Sequence, residues 1–254
     1  MKILLKFRKR STNLRKMIQW KIITLNDNKW EIKVFDMVSE SEIVTLIQEA
    51  KKGEKERKFK ESLELYITLK DIDVKKGFAL NEVIQLPNQM SKPAAVCVMA
   101  SGDMGLKAKD AKADEVMDND GLDRLAQDKR ASRKFINKYD FFLADTKLMP
   151  LVGKSLGQLL GPRGKMPTPV PFNAPIESFL SRFKTSIRVR VKNSLSITCK
   201  VGDVTMDEHQ VAANAIAIIN NLVTKLPNGN KNIRKYMIKT TMGKAIKLEH
   251  KVTK

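Results

Sequence analysis

Cysteine and histidine are scarce, with two of each in 254 residues. Cys97 and Cys199 stand far apart, and neither His209 nor His250 completes a metal-spaced cluster with them. No zinc or catalytic-cysteine template fits, and the two thiols read as small apolar core residues in a reducing environment. The chain also lacks H-E-x-x-H, a nucleophile with a base at recognisable spacing, and paired carboxylates in an apolar setting, so no residues point to catalysis. Dinucleotide and phosphate loops, G-x-G-x-x-G and the Walker pattern, are missing too, and no cofactor is expected. No apolar run approaches the ~18 residues that cross a bilayer, so no membrane partner is expected. Acidic residues are also in deficit, 28 against 48 basic ones.

The excess is positive charge, +20 in total. A polyanion is the first partner to consider, because neutralising phosphates releases condensed counterions. The charge is uneven: residues 1–38 carry +7, 39–90 carry −1, 91–171 carry +4 and 172–254 carry +10. Lysines that only keep a surface soluble would give similar totals, so the placement of the charge matters more than its sum. With 42% hydrophobic residues the chain can bury one large core or two modest ones.

The first 36 residues are basic, hold Trp20 and Trp30, and place an Asn26-Asp27-Asn28 cluster between two runs able to form strands. Three readings stay open for this stretch: an RNA-binding arm or extra hairpin, an upstream extension with Met37 as the functional start, or a transit peptide. From Ser39 the pattern is regular. Ser39 and Glu42 make a capping box, with Ile43, Ile47 and Ala50 at helical spacing, which predicts a helix to about Arg57. From Ser62 to Lys70 the chain alternates, Leu63, Leu65, Ile67 and Leu69 against Glu64, Tyr66 and Thr68, as in a half-buried strand. Pro87 and Pro93 bracket a break. Beyond it, apolar runs at 94–100 and 140–144 alternate with helical stretches at 106–113 and 121–138, which predicts a small parallel sheet.

After Pro171 alternation returns. Ile187, Val189 and Val191 oppose Arg188, Arg190 and Lys192, while Leu195, Ile197, Cys199 and Val201 oppose Lys200, so both strands are expected in a sheet with one apolar and one basic face. Thr205 and Glu208 form a second capping box before a helix with Val211, Ala215, Ile218, Ile219, Leu222 and Leu226 on one stripe. A final strand pair, 233–240 and 245–248, is interrupted at Met242-Gly243. Two segments of like pattern therefore flank one of different pattern. The economical architecture is one α+β domain made from both chain ends, with a second domain inserted near Pro87 to Pro93 and Thr168 to Pro171. Two neighbouring connections permit a hinge.

The stretch 148–171, LMPLVGKSLGQLLGPRGKMPTPVP, has the least freedom. Gly153, Gly157 and Gly161 share one helix face, where a backbone or a phosphate could approach closely. Pro162, Pro167, Pro169 and Pro171 then predict an extended basic strap in which Arg163 and Lys165 flank Gly164. This run, together with KTTMG at Lys239 to Gly243, resembles the L-one family of large-subunit ribosomal proteins in its archaeal version. The likeness covers roughly Ser39 to Leu248.

The resemblance implies a split α/β sandwich, an antiparallel sheet with helices on one face, formed by residues 39–90 and 172–254. It also implies an inserted Rossmann-like three-layer domain at 91–171. It implies a cytoplasmic protein that binds large-subunit rRNA directly, forms the mobile stalk near the tRNA exit site, assists release of deacylated tRNA, and represses translation of its own mRNA. Off the ribosome it would be monomeric. The family's rRNA contacts fall on Lys58, Phe59, Ser62 and Glu64 and on Thr240, Thr241, Met242 and Gly243. Arg188, Arg190, Lys192, Lys239, Lys244 and Lys247 are candidates for phosphate neutralisation. Gly153, Gly157, Gly161, Arg163, Gly164 and Lys165 would set interdomain geometry, with Arg163 and Lys165 as secondary RNA or tRNA contacts. Lys244 stands where the family usually has proline, and Thr168 where archaeal relatives often carry lysine. The competing reading is a non-ribosomal RNA chaperone or assembly factor with the same fold.

Overall fold

The structure is a computed structural model that describes residues 23–26, 29–32, 39–53, 57–72, 78, 80–171, 175–191 and 194–249. It divides into two compact units, residues 1–37 and 38–254. The first contains strands β1 (Ile23–Asn26) and β2 (Lys29–Ile32), paired antiparallel with Asn26 opposite Lys29. Both strands fall where the sequence allowed them, while Trp20 and the Asp27-Asn28 tip lie outside the described residues.

The second unit opens with α1 (Glu40–Lys52), β3 (Ser62–Leu69) and β4 (Leu80–Gln85). It continues through β5 (Val96–Met99), α2 (Asp103–Asp110), β6 (Glu115–Met117), α3 (Asn119–Gln127) and α4 (Lys129–Lys138). Next come β7 (Phe141–Asp145), α5 (Met149–Arg163), β8 (Thr168–Val170) and α6 (Ile176–Lys184). The chain closes with β9 (Ser186–Val191), β10 (Ser196–Asp203), α7 (Glu208–Lys225), β11 (Ile233–Thr240) and β12 (Ile246–Glu249).

An antiparallel sheet in the order β10-β3-β11-β12 puts an early strand between late ones, so the two parts of the chain complete one ladder. Leu63, Leu65, Ile67 and Leu69 point into a core shared with α1, α7 and strands β9, β10 and β11. The expected capping box starts α1: the Ser39 hydroxyl accepts from the Glu42 amide and Glu42 accepts from the Ser39 amide at 3.0 Å. That helix ends at Gly53 rather than near Arg57, whose guanidinium is drawn to Glu61 at 2.5 Å instead. The second capping box is a misreading. Asp207 holds the N-cap position of α7 without a side-chain capping bond among the described residues, Thr205 lies in the preceding turn, and Glu208 accepts from Gln48 at 2.7 Å. Strand β9 also departs from expectation. It pairs with β4 in a separate two-stranded ladder, because alternation shows which face is apolar but not which strand lies alongside.

A parallel sheet, β6-β5-β7-β8, is covered on both faces. Cys97 and Met99 of β5 face α3, α4 and α5, while Val96 and Val98 face α2 and α6. The stretch expected as one helix over 121–138 is two, because the Asp128 carboxylate accepts from the Arg130 and Ala131 amides and starts α4 anew. Strand β6 was not anticipated, since three residues carry no periodicity. The proline-rich strap is also corrected. Pro162 sits in the last turn of α5, Gly164 ends that helix at φ +69°, and the following residues form β8. Pro169 is tolerated there because β8 is an edge strand whose outer side needs no donor.

The two connections between these cores run side by side. The Leu86 amide donates to Thr185 O at 3.1 Å and the Ala94 amide to Lys184 O at 3.2 Å. Buried Asn214 of α7 fastens the first connection by accepting from the Asn88 amide (3.0 Å) and donating to Asn88 O (3.2 Å).

Ile67, fully buried at the middle of β3, supplies the stability prediction of the fold. Ile67→Ala is expected to cost about 2–5 kcal/mol in denaturant unfolding, whereas Leu106→Ala, on the exposed side of α2, stays within about 0.5 kcal/mol.

Candidate nucleic-acid interface

The turn between β11 and β12 is built by its neighbours. Gly243 donates to Thr240 O at 3.2 Å, and a Cβ at Gly243 would collide with the Thr240 hydroxyl, so a larger residue would force that side chain to shift. The Thr241 side chain acts as one more rung of the ladder: its hydroxyl accepts from the Ser62 amide at 3.0 Å and donates to Ser62 O at 3.3 Å. The Met242 amide donates to Glu61 Oε2 at 3.2 Å, and Glu61 Oε1 holds Arg57 Nε. Glu61 is only 2% exposed. Burial alone would raise its carboxyl, but the Met242 amide, the Thr240 hydroxyl and the Arg57 guanidinium together hold it below the usual carboxylate range.

What this frame displays is apolar. Met242 is 61% exposed and Phe59, three residues before Ser62, is 52% exposed. Lys58, Lys60 and Lys244 are exposed beside them in the chain. A hollow of about 540 Å³ lies beside the turn, lined by Glu49, Arg57, Glu61, Met242 and Lys244 among others. Exposed apolar side chains between cations suit base planes and sugar edges lying between phosphates.

The sheet face next to the turn continues the pattern. In register across the strands, Glu64 lies opposite Lys200 on one side and Lys239 on the other, and Tyr66 lies opposite Thr198 and Met237. Lys239 Nζ stands 5.6 Å from the Tyr66 ring centre, and the Tyr66 hydroxyl donates to Glu64 at 2.8 Å. Hydrogen bonding to Glu64 raises the Tyr66 pKa. Lys247 of β12 lies opposite Met237 and is exposed. The structure thus brings Ser62, Glu64, Lys239, Thr240, Thr241, Met242 and Gly243 into one neighbourhood. The sequence reading did not single out Glu61 and Arg57. The signal was there: Glu61 continues the inward phase of Leu63, Leu65 and Ile67, an acid in line with a core stripe.

The remaining candidates sit elsewhere. Arg188 lies with its guanidinium carbon 5.2 Å from the Phe141 ring centre, and its buried Nε has no hydrogen-bond partner among the described residues. Burial, and then the neighbouring Arg190, lower its pKa. Arg190 donates to Pro162 O at 3.0 Å and packs on Gly164. Lys165 donates to Ile136 O and Tyr139 O at 3.1 and 2.6 Å, neutralising the carbonyl end of α4, and burial lowers its pKa. Arg163 donates to Asn137 Oδ1. These four cations therefore have partners or packing at the ends of α4, α5 and β7. At Gly153, Gly157 and Gly161, beyond the helix's own backbone, no atom of the described residues lies within 4 Å of where a Cβ would stand, so none of their backbone packs on that face. Lys192 lies outside the described residues.

Among the described residues no group of three or more His, Cys, Asp or Glu side chains could hold a metal ion, and no helix is long and apolar enough to cross a membrane. Both cysteines are free and buried; burial pushes the Cys199 thiol up to about 12.

The sequence pattern of the ribosomal protein L1p/L10e family matches residues 47–244, which include both Phe59 to Glu64 and the turn. Three archaeal proteins, each called large ribosomal subunit protein uL1, are similar over most of the chain. The one from Cenarchaeum symbiosum is 61% identical over 211 residues, covering 83% of this chain and 97% of the relative. The one from Thermofilum pendens is 44% identical over 202 residues, 79% and 89% of the two chains. That from Archaeoglobus fulgidus is 37% identical over 213 residues, 84% and 99%.

Because the folded Glu61 carboxyl titrates below its usual 4.5, its contribution is complete above that pH and disappears as pH falls through the lower folded value. The difference in thermal midpoint between wild type and Glu61→Gln should shrink on acidification below about pH 4.5; a constant difference down to strongly acid pH contradicts the role given to Glu61.

Proposed function

The chain belongs to the ribosomal protein L1p/L10e family, and from that premise we propose that it is a cytoplasmic constituent of the large ribosomal subunit that grips a folded segment of rRNA directly. The observation that carries this reading is the turn at Thr241 to Gly243. Its backbone is held by a buried carboxylate and a ladder-like threonine while Met242 stands exposed among lysines. A surface fixed before RNA arrives loses little ordering entropy on binding. Phe59 and Met242 supply stacking surface, and Lys239, Lys244 and Lys247 neutralise phosphates.

The finer parts of the proposal follow from the two cores. The outer core, made by both ends of residues 39–254, is the rRNA-binding domain. The parallel-sheet core is an inserted Rossmann-like domain, which we extend to Lys184 because Ile176, Leu180 and Phe183 of α6 pack against that sheet. The paired connections at 86–94 and 184–185 serve as the hinge of a mobile stalk that meets outgoing tRNA. Repression of its own mRNA would use the same turn on a similar RNA fold.

Thr241→Ala, which loosens the turn, and Met242→Ala, which removes a stacking surface, should each weaken binding to large-subunit rRNA by about 1–3 kcal/mol in filter-binding titrations. An equal loss on an unrelated RNA duplex, or unchanged rRNA affinity, overturns the assignment. In sedimentation, the tagged protein is expected on mature large subunits; its presence on precursors alone would favour an assembly factor.

A further inference from the structure

Strand β10 ends on a buried acid, Asp203. Ile197 and Cys199 point inward, and simple alternation would send Asp203 inward with them, but a bulge at Val201 shifts the register. Beyond it Gly202 lies opposite Leu63, and Asp203 lies opposite Ser62, in the outward phase of Glu64 and Tyr66. A bulge disrupts the ladder locally and re-aims the side chain that follows. Here that side chain is a carboxylate only 5% exposed. A charge is kept in such a place only where donors replace water, so its partners show what it serves.

Three residues supply those donors. Lys200 Nζ stands 2.6 Å from Oδ1, and the Ser62 hydroxyl donates to the same oxygen at 3.4 Å. Ser91 donates through both its hydroxyl and its amide. Burial would raise the Asp203 carboxyl, but Lys200 and Ser91 hold it below the usual carboxylate range. Two of these residues belong to places of separate importance. Ser62 is the residue whose amide and carbonyl hold Thr241, and the neighbouring Glu61 O accepts from the Val204 amide at 3.1 Å. Ser91 lies in the first connection between the cores, at 86–94. The bulge grips that connection a second time, since Asn214 donates to Val201 O at 3.0 Å and to Asn88 O at 3.2 Å.

The bonds to Asp203 Oδ1 are unequal. The one from Ser62 is long and shares its oxygen with an ammonium group 2.6 Å away. Ser62 is also partly exposed, and with its amide and carbonyl engaged by Thr241 only its hydroxyl can turn to a partner. That hydroxyl rotates about a single bond, so a ribose 2′-OH can take it at little cost. Asp203 then has Lys200 and Ser91 as its remaining donors, and a buried carboxylate that loses one donor depends more on the others.

Resting on the RNA-binding reading above, we propose that Asp203 is a positioning residue that couples the two cores: it aims the Ser62 hydroxyl at bound RNA and passes the occupancy of that hydroxyl, through Ser91, to the connection that carries the insert. RNA on the turn therefore stiffens the first connection, and by linkage a stiffened connection favours RNA on the turn. The two arrangements of the carboxylate, with and without Ser62, are the element that both sites bias.

Hydrogen–deuterium exchange of the full chain, free and saturated with large-subunit rRNA, tests this. In wild type, rRNA should slow exchange at 238–244 and also, by about threefold to tenfold, at 86–92. Asp203→Asn removes the charge at nearly constant shape, and Ser91→Ala removes the far hydroxyl without touching Ser62. Both variants should keep the protection at 238–244 and lose the rRNA-dependent part at 86–92. A purely structural Asp203 would raise exchange at 86–92 equally in free and bound protein, leaving the rRNA effect intact. An intact rRNA effect in Ser91→Ala overturns the proposal even where Asp203→Asn fails to fold, as does wild-type exchange at 86–92 that ignores rRNA. Failure of the rRNA reading itself is seen separately, as absent protection at 238–244 in wild type, and the proposal falls with it.

Discussion

A buried carboxylate at the junction of the two ends of the chain governs the rest of this surface. Glu61 sits one residue before β3 and takes the Met242 amide, while Arg57 neutralises it from the other side. Desolvating a carboxylate is costly unless charge and hydrogen bonds replace water, and here both do. The turn is thereby referenced to the central strand of the sheet rather than to its own short loop. Thr241 adds a second tie to the same strand through Ser62. With those ties in place the backbone of the turn is set, and the exposed methionine is a consequence of it.

The same economy governs the cations. Those near the seam between the cores are engaged: Arg190 with Pro162 O, Lys165 with the last carbonyls of α4, Arg188 over Phe141. On the outer sheet face Lys247 is exposed and Lys239 leans on the Tyr66 ring, while Lys200 pairs with Asp203 at 2.6 Å; on α4 Lys129, Arg130, Arg133 and Lys134 are exposed. Net charge alone does not separate these groups. The division matches the arrangement of the cores, in which the engaged cations hold the protein's own parts together.

Much of the fold was legible because burial imposes periods that a chain must obey. The alternation of Leu63, Leu65, Ile67 and Leu69, the stripe along α7 and the capping box at Ser39 all reappear as expected. The errors came where local chemistry overrode the period. Asp128 divided a helix by capping its second half, Pro162 was accommodated in a last turn, and β6 was too short to show a pattern. At the site, Lys58 to Glu64 and TTMG were picked out through the family resemblance, but the link between them could not be, because Glu61 and Met242 lie 181 residues apart.

The sequence by itself determined which faces are apolar, where most strands and helices fall, and where positive charge accumulates, since hydrophobic period and net charge are properties of the chain alone. Only the tertiary structure decided which cations remain free. Whether Arg188 or Lys239 can reach a phosphate depends on what packs against it, and β9 with Arg188 faces the parallel sheet, whereas β11 with Lys239 faces solvent. Alternation assigns both arginine and lysine to an outer face. What lies beyond that face is set by contacts between distant segments, which no local pattern encodes.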